Sequence, residues 1–115
     1  MKDPLVPLRH ILDAFERIER YAMPGRAAFD LEPMRQDAIL RNLEVIGEAV
    51  ARLSAEIRAG APEFAWRDPI GMRNWLIHGY DVVDHDIVWN TVQTSLPQLK
   101  AVVLRLLAGT DPVKG

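Results

Sequence analysis

The chain has 115 residues, 49% of them hydrophobic and 26% charged, with a formal net charge of −2. These values describe an ordinary globular protein, exclude a disordered one, and predict a single domain over residues 1–115. With no cysteine, a disulfide scaffold, a thiolate nucleophile and a sulfur-ligated zinc site are excluded, and the negative balance disfavours a dedicated binder of nucleic-acid backbones.

Met1–Pro7 carries neither the basic segment nor the apolar run of a signal peptide, and no apolar stretch approaches about 18 residues, so a soluble, cytoplasmic protein is expected. Asp3-Pro4 reads as a cap followed by a proline at the first helical position. Leu8, Ile11, Leu12, Phe15 and Ile18 then recur at helical spacing, predicting an amphipathic helix over 4–23 that Pro24-Gly25 stops. Asp30 is the next candidate cap, with Pro33 in the first turn. Met34, Ile39, Leu43, Ile46, Val50, Leu53 and Ile57 mark one stripe as far as Gly60, predicting one long second helix. Asn42 is a polar member of that stripe, expected to bridge helices. Glu44 and Glu48 are expected on a solvated face. Gly47 is a poor helix former in a helix interior, which points to a neighbouring helix coming close there.

Ala61 to Arg67 reads as a loop with one large anchor, Trp66. Asp68-Pro69 repeats the cap-and-proline device and opens a short third helix through His78, ended by Gly79. Asp81 to Asp86 reads as a turn with several possible caps. Ile87, Val88, Val92, Leu96, Leu99, Val103, Leu106 and Leu107 define a last helix, closed by Gly109 and kinked at Pro97, which removes a backbone bond. No segment alternates with period two. The expected fold is all-α, an up-and-down four-helix bundle whose short third helix carries the distinctive residues.

That third helix runs Gly71-Met72-Arg73-Asn74-Trp75-Leu76-Ile77-His78, followed by Gly79 and Tyr80. At about 100° per residue, Arg73 and His78 stand about 140° apart, whereas Asn74 and His78 share a face. Arg73 must therefore reach the same cleft with its long stem, or the helix must unwind near Gly79. An imidazole can move a proton to or from a ribose oxygen at neutral pH. A guanidinium presents a fork of donors suited to a phosphate and its transition-state charge. The pair suits metal-free phosphodiester transesterification, but the same spacing also fits a salt-bridged Arg and a helix-end His bound to carbonyls. His78, Asp81, Asp84, His85 and Asp86 could suggest a metal site; the turn between them and the capping work open to Asp84 and Asp86 argue against it, so no metal or cofactor is expected. Trp66, Trp75 and Trp89 are expected to anchor the core or a dimer.

The pattern Arg73-Asn74-x-x-x-His78-x-Tyr80 resembles the motif of the HEPN ribonuclease superfamily, and most of all the HepT-type toxins of HepT–MntA toxin–antitoxin pairs. Leu40 to Ala49, the Pro62 to Trp66 loop, Ile70-Gly71-Met72 and Ile87-Val88-Trp89 read like that family too, so the resemblance covers nearly the whole chain. It implies that Arg73 and His78 are a catalytic pair with Asn74 orienting them, on an RNA substrate. It also implies a homodimer in which two motifs face each other across a composite cleft, concentrating positive charge despite the net balance. Tyr80 would match the tyrosine that a cognate MntA-type nucleotidyltransferase antitoxin modifies with AMP, placing bulk and negative charge beside the cleft. The rival expectation is a non-catalytic adaptor that binds the nucleotidyltransferase and presents a surface or substrate to it.

Overall fold

In the computed structural model, which describes residues 3–79 and 83–109, the first apolar stripe forms α1, Val6–Ala22. Leu8, Ile11, Phe15 and Ile18 are buried along it, as their spacing predicts. Asp3 is not the helix cap. Its carboxylate accepts the Leu5 N–H at 2.9 Å and its carbonyl accepts the Val6 N–H at 3.2 Å, a turn that leads the chain in, while Pro7 rather than Pro4 occupies the first helical turn.

Pro24-Gly25 ends α1, but the chain restarts at once as α2, Arg26–Leu31. Gly25 makes the restart possible, because its φ of 100° lies in the left-handed region where a Cβ is disfavoured. Six residues are too few to show helical periodicity, which is why α2 is invisible to a pattern search. Its Phe29 is fully buried against Trp89, with ring centroids 5.4 Å apart, and His85, at 5.3 Å.

The predicted long second helix is two helices. α3, Pro33–Ala51, starts after an extended Glu32, so Asp30 belongs to α2 and caps nothing here. Met34, in its first turn, is 86% exposed instead of in the core. α3 stops before Ser54, whose backbone is extended and whose hydroxyl accepts the Ile57 N–H at 3.1 Å, opening α4, Ala55–Ala59. A serine competes for backbone donors in this way, and here the cap outweighs the apolar periodicity that runs through it. Arg58 of α4 then donates to the Val50 carbonyl near the end of α3, at 2.8 Å.

Trp66 anchors the following loop as expected, buried with its indole N–H shared between the carbonyls of Ala61 (3.1 Å) and Arg58 (3.2 Å). It serves as the N-cap position of α5, Arg67–His78, which places Asp68 inside the first turn and not at the cap. Asp84 does cap α6, His85–Asn90, accepting from the N–H groups of Asp86 at 2.8 Å and Ile87 at 3.3 Å. Arg26 of α2 pairs with Asp86 and with Asp30, and hydrogen bonds to those two carboxylates, Asp86 first, hold its pKa above the usual value.

The disruption expected at Pro97 takes the form of a π-turn, Thr91–Ser95, joining α6 to α7, Leu96–Gly109. The Leu96 N–H reaches back five residues to the Thr91 carbonyl, and the wider turn makes room for a proline that has no N–H to offer. Val88, Val92, Leu96, Leu99 and Val103 are buried along this composite helix, while Ile87 is turned outward.

α3 packs against α1 on one side and α5 on the other, and α7 closes the bundle against α1. The described residues are helical or irregular throughout, and four long helical elements carry the core. Each fully buried Leu, Ile or Phe contributes roughly 1.5–3 kcal/mol relative to an exposed one. Asn42 sits in this core as the expected bridge: it accepts the Arg17 Nε–H of α1 at 2.7 Å and donates to the Ala38 carbonyl at 2.8 Å.

Candidate functional site

α5 is continuous to its last residue, and the Gly79 N–H still makes a helical bond to the Trp75 carbonyl at 2.8 Å. The helix does not unwind to bring Arg73 and His78 together. Instead Arg73 leaves α5 on the side facing α3 and bends back, donating from Nε to the Asn74 side-chain oxygen at 3.2 Å. The imidazole Nδ1 of His78 lies 2.8 Å from the main-chain carbonyl of the same Asn74. A carbonyl only accepts, so this contact places the proton of a neutral His78 on Nδ1 and leaves Nε2 with its lone pair. Asn74 thus joins the guanidinium through its side chain and the imidazole through its backbone. The two side chains meet different parts of one residue without any break in the helix.

Gly71, Asn74, Ile77 and His78 form an exposed stripe of α5, in which Ile77 is 45% exposed and a Cβ on Gly71 would meet nothing within 4 Å. On the opposite side, Leu76 is buried and lines a shallow groove of about 270 Å³ with Leu40, Arg41 and Glu44 of α3. Glu44 and Glu48 do not form the expected solvated face. Both are half-buried, and Arg41 approaches their carboxylates at 3.3 and 3.7 Å. Trp75 and Trp89 are half-buried and pack against the core, and Trp66 is buried in it. Tyr80, the fourth residue of the motif, and Asp81 lie outside the described residues. Among the described residues no three His, Asp or Glu side chains come together as a metal site would require.

What the sequence did not disclose is how the far side of the motif is anchored. α6 starts a few residues beyond His78 and is fixed to α2 through Asp86–Arg26 and His85–Phe29. The one available signal was Phe29, a large apolar residue in what reads as a turn.

An all-α bundle that carries an Arg-Asn-x-x-x-His set on one short helix, with the Asn and His on its exposed face, is of the HEPN type. Residues 11–106 match the family described as Ribonuclease HepT-like, and the chain belongs to that family of ribonucleases. Among its relatives, a candidate RNase of Caldanaerobacter subterraneus subsp. tengcongensis is 38% identical over 93% of this chain and 96% of its own. A probable ribonuclease HepT of Thermococcus cleftensis is 36% identical over 81% of this chain and 86% of its own. A Methanocaldococcus jannaschii protein, named as a gamma-glutamylcyclotransferase and candidate RNase, is 34% identical over 98% of this chain. The chain spans about half, 51%, of that longer relative. No solved structure gives a significant match. No helix among the described residues is long and apolar enough to cross a membrane.

Proposed function

We propose that this protein is a metal-independent endoribonuclease toxin that works as a homodimer and is silenced by AMP added to Tyr80 by a partner nucleotidyltransferase. The observation that carries the chemistry is the double link through Asn74, which ties a guanidinium and an imidazole with one free nitrogen to the same residue. In the reaction, His78 Nε2 takes the proton from a ribose 2′-OH and the 2′-oxygen attacks the adjacent phosphorus. The 5′-oxygen leaves with a proton, giving a 2′,3′-cyclic phosphate and a free 5′-hydroxyl. Arg73 donates to the non-bridging oxygens as their charge grows.

One imidazole cannot be base and acid in the same step, and the second copy of the motif supplies the other. The exposed Ile77 beside His78 and the open space over Gly71 give a second chain a flat, partly apolar surface to meet. Two guanidiniums in one cleft answer the net charge of −2, which by itself favours the adaptor reading.

The test is cleavage of a defined RNA by the purified protein in EDTA, with growth after induced expression scored in parallel. Wild type is expected to cut and to slow growth, and His78→Ala to do neither. If both are harmless and neither cuts while the nucleotidyltransferase still binds, the adaptor reading replaces this one. For the off-switch, ATP, magnesium and the nucleotidyltransferase should add AMP mass to wild type and none to Tyr80→Phe. An equal gain in both would move the modification elsewhere.

A further inference from the structure

We infer that Gly47 is a positioning residue for Arg73: the missing side chain on α3 is the seat in which the catalytic arginine's stem rests. This rests on Arg73 acting in RNA cleavage, and adds where its position comes from.

The observation is steric. A Cβ built on Gly47 would lie 2.4 Å from Arg73 Cβ, 3.2 Å from Arg73 Cγ and 2.7 Å from the Pro69 carbonyl oxygen. Real Cβ atoms do not come within 3.0 Å of a neighbour, and the nearest struck atom is Arg73 Cβ, which moves only with the α5 backbone. The Pro69 oxygen is main chain of the same turn, since residues 69 and 73 are four apart in one helix. Any side chain at position 47 must therefore lift or rotate the turn of α5 from which Arg73 grows.

Gly47 is buried in the interior of the 19-residue helix α3, a place where glycine weakens the helix and alanine would strengthen it. Its φ is not in the left-handed region, because Gly25 alone has a positive φ among the described glycines. Backbone freedom does not explain the glycine, so what remains is the close approach of α5. The contact falls on Arg73 and not merely on a packing residue of α5 such as Leu76. With its stem pressed against α3, Arg73 has its guanidinium directed back to Asn74, where Nε finds the side-chain oxygen at 3.2 Å. A shift of about 1 Å at the base of a long side chain is enough to misplace a transition-state donor.

The experiment compares wild type, Gly47→Ala and Gly60→Ala as purified full-length chains. Gly60 is the control because a Cβ there meets the flexible tip of Leu106 at 2.9 Å and the Ile57 carbonyl oxygen at 3.2 Å, both away from the motif. Circular dichroism and thermal melting establish that each is folded, and cleavage is followed against RNA concentration. Gly47→Ala is expected to lower kcat at least ten-fold with KM within about two-fold of wild type. Gly60→Ala should keep kcat near wild type whatever it does to the melting temperature. A Gly47→Ala protein that melts lower but turns over normally assigns Gly47 to packing alone and overturns the proposal.

Should Gly47→Ala fail to fold, the double variant Gly47→Ala with Arg73→Gly removes the struck Cβ and Cγ. Recovery of the folded state then supports the seat, whereas no recovery assigns the clash to the Pro69 carbonyl, which this variant keeps, and overturns it. If wild type itself does not cut RNA, the ribonuclease reading fails and this inference with it. If wild type cuts, His78→Ala does not, and Gly47→Ala matches wild type, this inference alone is wrong.

Discussion

His78 and Arg73 are served by different parts of one residue, and that makes their contributions separable. Asn74→Ala deletes the oxygen that receives Arg73 Nε but keeps the main-chain carbonyl that holds His78 Nδ1. We expect Asn74→Ala to lower kcat by about ten-fold to a hundred-fold through a loosened guanidinium, and to leave the imidazole where it is. The shape of the pH–rate profile should therefore be kept while its height falls. Steady-state cleavage across a pH series checks this, and a profile that changes shape would place Asn74 in contact with the titrating group. His78 and Asn74 were legible in the sequence because they lie one helical turn apart. The path taken by Arg73 was not, because a spacing gives angles about an axis and says nothing of how a flexible stem folds back once α3 blocks one side.

Elements were read well where periodicity ran long and badly where a cap or a turn overrode it. α1, α5 and the outer part of the last helix lie close to their predicted bounds because burial and backbone preference agree there. α2 and α4 were missed for different reasons. α2 is too short to show a stripe and exists because Gly25 allows a new helix to begin without a linker. α4 is set apart because Ser54 offers its hydroxyl to the chain in mid-stripe. Gly25 can be tested without disturbing packing, since a Cβ there meets nothing within 4 Å. Gly25→Ala is expected to cost roughly 1–2 kcal/mol through backbone strain at φ 100° alone. Thermal melting measures the loss, and an unchanged melting temperature would show that the junction between α1 and α2 relaxes freely. Because α2 holds the start of α6 through Arg26 and Phe29, the same variant should also loosen the first turn of α6.

At the scale of the whole molecule, the proposed sharing of one site between two chains would permit complementation. Arg73→Ala and His78→Ala proteins, each expected to be inactive, should regain part of the wild-type rate when unfolded together and refolded as mixed dimers. One arginine and one histidine then face each other across the cleft. Mixtures that stay as inactive as their parents would show either that the step needs both imidazoles or that each chain keeps its own complete site. The same scale shows what the π-turn does. An ideal α-helix slips about 40° for every four residues, so positions 88, 92 and 96 would drift around the axis by about 80°. The five wider residues at 91–95 absorb that slip, and Val88, Val92 and Leu96 all stay inside. The turn acts as a leap day in the helical calendar, an added residue that keeps later dates in season. Removing one residue between 91 and 95 would give a straighter helix with better backbone bonds. It would also return Pro97 to a regular turn, where its ring crowds the carbonyl of the turn before it. A chain with the more regular helix would be the less stable protein.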